Sequence, residues 1–521
     1  MKPFQHVEMF RPNRSVFNRS RSKLFDCDMG QLIPVFIEKV VPGDKYRIGN
    51  EIIVRVQPMV APILHEVNVF VHTFFVPLRL LWPKPPVPED APKEDGSWED
   101  YWTGGKDGLL ELVKPKWIPQ NWALETAEHS LWDYCDMPVN VTDGGVYPDA
   151  WPRRAYNFIW NEYYRDQNYM DEVDFDDPVL KYRCWEKDYF TTALPWQQRG
   201  QAPALPVEGF TEFLGNVMKG SSLPPGHVAT SFTGGNGGVG ASTLYNAGSA
   251  AEVSDATAIR AWFNNNQIQG YTFDVNDLRL AFQTQKFLER NARAGARYVE
   301  QLRAHFGVSP RDDRMQRPEY IGGTRSPLIV SEVLQTSSTD STSPQGNLAG
   351  HGMTVDRQFM SSYYVQEYGI IMSLMSIMPR PVYQQGIDRV WLGDTRYDEL
   401  LPEFVALGEQ PIYGSELYYN NVKAENESVF GFQGRYDEYR VSRNTVCGIM
   451  RSQANDNLAF WHLARHFENR PQLNSDFLLC KPRKDWLAVP DESAFIVNYG
   501  SNVRAVRPLP VVGTPGLIDH F

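Results

Sequence analysis

The clearest pattern is a set of apolar runs with a period of two near both ends of the chain. Ile52, Val54 and Val56 alternate with Ile53, Arg55 and Gln57, which puts each set on one face of a strand. Gln31–Val41 and Ile48–Val60 are therefore predicted as strands, with Pro42-Gly43-Asp44 as a turn signal between them. Val67–Pro77 is apolar on both faces, the mark of a central strand covered on two sides. Pro77 closes it, having no amide proton to give the ladder. Further strands are predicted at Tyr363–Met378, Glu438–Val446, Ala494–Val497 and Asn502–Val506.

Between these ends the period changes. Tyr156–Asn168 reads as a helix with an aromatic side, and Asp456–His466 as a short helix. The longest helical pattern runs from Asp274 to Gly307. Its apolar line is Leu278, Phe282, Leu288, Ala292, Val299, Leu302 and Phe306. A basic line (Arg279, Lys286, Arg290, Arg293, Arg297) lies one residue, roughly 100°, further round. Asp274 can cap the start. Gly295 inside it costs roughly 1 kcal/mol against Ala and predicts a kink or a close backbone approach.

Beyond this helix, Gln335–Leu348 is a bare polar ribbon that gains order mainly from a neighbouring surface. Residues 83–200 lack regular alternation and begin proline-rich. Residues 207–270 contain Gly234, Gly235, Asn236, Gly237 and Gly238, a flexible exposed tip. No repeat of fixed period is present, which argues against a solenoid or propeller. Strands at both ends with long excursions between them predict a mainly β fold. One jelly-roll β-sandwich with long, partly helical inserted loops accounts for this better than a row of domains.

Composition adds a partner. Of 521 residues, 42% are apolar and 22% charged, as in soluble globular proteins. The 14 Trp and 25 Tyr predict extensive packed or interfacial surface. No run reaches the roughly 20 apolar residues of a membrane span, and no signal-peptide core is seen, so no membrane insertion or secretion is expected. The five cysteines are scattered without a CxxC pair, which points away from a disulfide framework or zinc site and toward synthesis in a reducing cytoplasm. Net charge is −12, so the whole surface is not a nucleic-acid footprint. Residues 1–30 nevertheless form a basic arm, in which Arg11, Arg14, Arg19, Arg21 and Lys23 lie with no acid between Arg11 and Lys23. One reading is phosphate contact, with Phe10 and Phe17 stacking on unpaired bases. The other is a disordered or subunit-clasping terminus.

Catalytic signals fail one by one. His462 and His466 are spaced like a zinc-protease pair, but Leu463 stands where the general base is needed. The glycine run lacks the Lys and Ser/Thr of a phosphate loop. The acids of Asp171–Asp177 lack calcium-loop spacing and read as a solvated loop. No GxSxG elbow is present, and nothing selects one carboxylate pair for glycoside hydrolysis. No metal and no cofactor are expected.

Several longer motifs together carry a family resemblance. They include Val41-Pro42-Gly43-Asp44, Phe75-Val76-Pro77-Leu78-Arg79 and Arg154-Ala155-Tyr156-Asn157-Phe158-Ile159-Trp160-Asn161-Glu162. Asp188-Tyr189-Phe190-Thr191-Thr192-Ala193-Leu194-Pro195-Trp196-Gln197, Asn276-Asp277-Leu278-Arg279 and Arg317-Pro318-Glu319-Tyr320-Ile321-Gly322-Gly323 follow. With the ribbon and the terminal Pro515-Gly516-Leu517-Ile518-Asp519-His520-Phe521, the chain resembles the major capsid proteins of gokushovirus-like microviruses, small single-stranded DNA bacteriophages.

The resemblance implies an eight-stranded jelly roll, an icosahedral homo-oligomeric shell around circular single-stranded DNA, and a virion location after synthesis in the bacterial cytoplasm. It implies scaffolding and other viral structural partners. It also implies that 207–270 is a variable insertion projecting near the threefold axes and used on a bacterial surface receptor. The domain reading is then a basic arm (1–30) and one jelly-roll domain (31–521). The competing readings are a carbohydrate-active enzyme and a glycan-binding β-protein.

Overall fold

The computed structural model describes residues 13–82, 97–103, 112–203, 228–230, 244–246, 249–253, 275–295, 297–334 and 348–512. The chain divides into two compact units, Met1–Gln197 with Ala294–Phe521, and Gln198–Arg293.

In the larger unit, β1 (Ser15–Asn18), β2 (Arg21–Cys27), β3 (Ile33–Val40), β4 (Lys45–Val56) and β5 (Val67–Pro77) come first. The smaller unit holds β6 (Val228–Thr230), β7 (Leu244–Asn246) and β8 (Ser249–Val253) in one antiparallel sheet, and most of helix Val275–Ala294. Back in the larger unit follow β9 (Glu319–Pro327), β10 (Ile329–Leu334), β11 (Leu348–Tyr364) and β12 (Gly369–Pro379). A hairpin of β13 (Glu409–Tyr413) and β14 (Val429–Gly434) precedes β15 (Phe495–Arg507).

The main strands form two sheets. One runs β1-β15-β4-β11-β10, with β2 also on β15, and the other runs β3-β12-β5-β9. The links β2–β3, β3–β4, β4–β5, β9–β10, β11–β12 and β12–β15 each cross between sheets, while β5–β9 stays in one. Strands 2-15-4-11 facing 3-12-5-9 are the two four-stranded halves of a jelly roll. All main pairings are antiparallel.

Two cores meet at the second sheet. Between the sheets lie Phe36, Ile48, Val54, Val71, Phe75, Ile371, Met375, Phe495 and Tyr499. On the other side, Phe74, Val76, Ile370 and Met372 pack against Trp82, Trp98, Trp151, Tyr156 and Trp160 of the β5–β9 insertion. β12 is thus buried at all eleven positions. At Gly30, φ is +81°, and a Cβ there would run into the Cys480 carbonyl, so the β2–β3 corner needs glycine.

Several expectations change. Tyr363–Met378 is not one strand, because β11 ends at Tyr364 and β12 starts at Gly369. Ala494–Val497 and Asn502–Val506 are one continuous strand, since Gly500 and Ser501 stay in the ladder. Glu438–Val446 holds a 3-10 turn at Asp437–Tyr439 and a lone bridge at Thr445. Asp456–His466 contains only the 3-10 turn Ala459–Trp461, and His462 is extended, so the two histidines are not one helical turn apart. The helix at Trp151–Ile159 runs into a π-turn, Trp160–Tyr164. The long helix is two, Val275–Ala294 and Tyr298–Phe306, parted where Gly295 takes φ +93°. Among the described residues no helix is long and apolar enough to cross a membrane.

Candidate assembly and nucleic-acid surfaces

The basic N-terminal residues have separate fates. Alternation in β2 sends Arg21, Lys23 and Phe25 to one side and Ser22, Leu24 and Asp26 to the other. Arg21 donates to the Ile37 carbonyl, and its guanidinium carbon sits 4.8 Å from the Phe36 ring centre. The Lys23 ammonium donates to the carbonyls of Pro34 (3.1 Å) and Tyr134 (2.6 Å) and lies 2.7 Å from Asp136. Arg19 forks onto Glu38 through Nε (2.8 Å) and Nη2 (3.1 Å). Glu38 is buried and also takes Arg507 at 3.4 Å. Arg14 is exposed, 5.9 Å from the Tyr364 ring. Arg11 lies outside the described residues, as do Gly234, Gly235, Asn236, Gly237 and Gly238. The sequence reading missed β1 and β2, although Lys-Leu-Phe-Asp-Cys does alternate there. The run of cations obscured the period.

The acidic segment is solvated at Asp171, Glu172 and Asp174, as expected, while Asp176 and Asp177 are half-buried and tied into the insertion. Arg153 and Arg154, both buried, hold Asp176 at 2.6 and 2.5 Å. Arg165 takes Glu172 at 2.9 Å, and Lys181 takes Asp177 at 2.7 Å. Burial alone would raise Asp176, but the hydrogen bond from Arg154 and the charge of Arg153 reverse it and hold the carboxyl low.

A polar cleft of about 860 Å³ is lined by Arg389, Asp394, Glu399, Tyr413, Glu438 and Tyr439, among others. In its wall, Arg389 lies 2.8 Å from the buried Glu416 and 3.7 Å from Glu438. Glu416 also accepts from the Tyr413 amide (2.9 Å) and the Tyr189 hydroxyl (3.1 Å), and burial raises its pKa. These two carboxylates share one cation instead of facing each other across open space, so they do not form the pair that glycoside chemistry needs. His462 is buried against the Met450 carbonyl at 2.6 Å. Burial pushes the Cys135 and Cys184 thiols up to about 12 and about 11, away from nucleophilic thiolate. Among the described residues no group of three or more His, Cys, Asp or Glu could hold a metal ion.

What the chain does offer is uncovered apolar surface. Helix Tyr298–Phe306 has no fully buried side chain: Val299 and Leu302 are half-buried, and Phe306 is 75% exposed. On the preceding helix only Ala292 of the expected apolar line is buried, while Phe282 is 67% exposed. Trp391 and Leu407 also stand out into solvent. The polar ribbon, 335–347, lies outside the described residues. It joins Leu334 to Leu348, which are direct cross-strand partners.

Comparisons with known proteins agree along the whole chain. The family described as "Capsid protein (F protein)" matches residues 5–517. "Capsid protein VP1" of Chlamydia phage 1 is 32% identical, over 99% of this chain and 97% of the relative. "Capsid protein VP1" of Bdellovibrio phage phiMH2K is 30% identical, over 99% and 98%. "Capsid protein VP1" of Spiroplasma virus 4 is 28% identical, over 98% and 97%. The chain belongs to the capsid protein (F protein) family and is a microvirus-type major capsid protein, a component of the virion.

Proposed function

We propose that copies of this chain close an icosahedral shell around a circular single-stranded DNA genome, without catalysis of their own. The observation that carries the reading is helix Tyr298–Phe306, none of whose side chains is fully buried in the single chain and whose Tyr298 and Phe306 are 66% and 75% exposed. A nine-residue helix draws its stability from tertiary packing, so its apolar residues call for a neighbouring copy. Obligate contacts between copies commonly bury ~2,000 Å² or more. The experiment is electron microscopy of the purified protein. Closed particles are expected, and a strictly monomeric product at high concentration would overturn the reading.

The finer parts rest on the family. The basic N-terminal segment (Arg11, Arg14, Arg19, Arg21, Lys23) lies toward the genome. The insertion at 207–270, with its Gly234–Gly238 tip, projects outward and serves attachment to a bacterial surface receptor. Scaffolding and other viral proteins assist assembly in the bacterial cytoplasm. Particles lacking 207–270 that remain intact but no longer adsorb would support attachment by the insertion. Unchanged adsorption would exclude it.

A further inference from the structure

The two sheets are treated differently on their outer sides. The β3-β12-β5-β9 sheet is covered by the Trp-rich core of the insertion. The outer side of the six-stranded sheet is bare among the described residues, with Leu24 75%, Val355 60% and Ile496 48% exposed. Its outward positions alternate with the buried residues of β4, β11 and β15.

One half of this face is basic and aromatic. Arg47 of β4 and Arg504 of β15 are direct cross-strand partners, both outward and exposed. Lys45 faces Tyr364 of β11 on one side and Val506 of β15 on the other. Phe359, 57% exposed, stands opposite Gly49 and carries the Arg47 guanidinium 5.0 Å from its ring centre. Tyr364, 49% exposed, carries Arg14 in the same way. Arg357 completes the set, and the carboxylate beside it, Glu51, lies 4.0 Å away. Among the described residues, Lys45, Arg47 and Arg504 have no carboxylate within ion-pair reach.

Like charges directly opposite each other weaken a sheet, so folding does not account for Arg47 beside Arg504. A polyanion does. On a chain of net charge −12, this local cluster of cations with two exposed rings has the composition of a stacking platform for unpaired bases. We infer that the outer face of β1-β15-β4-β11 around Arg47, Arg504, Lys45, Phe359 and Tyr364 binds single-stranded nucleic acid, with the cations on phosphates and the two rings against bases. The inference rests on the coat-protein reading above and assigns the DNA contact chiefly to a sheet face rather than to the N-terminal segment.

The test uses the full chain and a fluorescently labelled mixed-sequence single-stranded oligonucleotide, followed by anisotropy from low to moderate salt. The K45S/R47S/R504S variant should bind at least tenfold more weakly at low salt. Its salt slope should be shallower by about two, at roughly 0.7 per lost phosphate contact. Phe359→Leu should weaken binding at least fivefold and leave the slope unchanged, because stacking releases no counterions. Arg55→Ser, on the apolar half of the same face, should behave as the parent. Unchanged oligonucleotide binding by the triple variant overturns the inference. If that variant binds DNA normally and instead loses particle formation, the face is a contact between copies. If the triple variant does not fold, Phe359→Leu with Arg504→Ser decides the matter in the same assay. Particle formation by the parent chain, read by microscopy on the same samples, tests the coat reading separately.

Discussion

At the scale of single residues, buried charge is managed by sharing. Asp176 serves two buried guanidiniums at once, so Asp176→Asn leaves both without a carboxylate. Breaking a fully buried pair costs roughly 3–5 kcal/mol. Asp176 is itself 37% exposed, so a loss of about 2–3 kcal/mol is expected in denaturant unfolding. His72 gives the opposite lesson, a base kept neutral. Burial, with the nearby Arg183 charge, lowers its pKa from 6.5 to about 4, and its Nδ1 lies 2.8 Å from the Tyr164 hydroxyl. The unfolded chain takes up a proton below pH 6.5 that the folded chain refuses until about pH 4. Stability therefore falls across that window as pH drops, by about 3 kcal/mol at ~1.4 kcal/mol per pH unit. His72→Gln should flatten this part of the pH profile, followed by tryptophan fluorescence. Neither partnership was legible in the sequence. Asp176 lies 22 residues from Arg154, and His72 is 92 from Tyr164, and no local pattern links positions so far apart.

At the scale of elements, legibility followed periodicity. Val67–Pro77 is apolar at nearly every position, and the fold covers it on both sides, so its bounds agree with the expected ones. β4 alternates apart from the buried run Ile48–Asn50, and differs from the expected strand only at its ends. The hairpin β13–β14 escaped notice because Pro411 and two glycines, Gly431 and Gly434, interrupt any apolar rhythm. Gly295 was legible as a weak point, but not as a complete break. Its φ of +93° ends one helix, and Glu300 then receives the Arg297 amide at 3.1 Å to start the next. Gly295→Ala forces a side chain into left-handed backbone and into the Glu300 carboxylate. A local cost of roughly 2 kcal/mol is expected, from left-handed strain and a lost cap. Hydrogen exchange should quicken in Tyr298–Phe306 while the sandwich strands keep their protection.

At the scale of the whole molecule, the sandwich strands are joined by several long connections. The ribbon is the sharpest case, because its ends are already held together by the Leu334–Leu348 pairing. Removing Ser337–Asn347 leaves Gln335 and Thr336 as a two-residue turn, the shortest common hairpin link. The shortened chain should therefore fold and stay soluble, yet fail to form closed particles in negative stain. Normal particles would refute an assembly role for the ribbon. Sequence motifs spread along the chain made the family legible, and the strand pattern made a sandwich legible. The pairing order was not, since nothing local says that residues 495–507 come to lie between residues near 25 and near 50.

That order has a consequence for protein synthesis. β15, the last strand among the described residues, is an interior strand of its sheet, holding β1 and β2 along one edge and β4 along the other. A nascent chain that stops before Phe495 leaves β1 and β2 with no ladder and the inner core open along β4. Such fragments expose apolar strand edges and go to degradation or aggregation. A chain cut before Phe495 is therefore expected to be insoluble and to give no particles, which pelleting and microscopy of such a truncation would check.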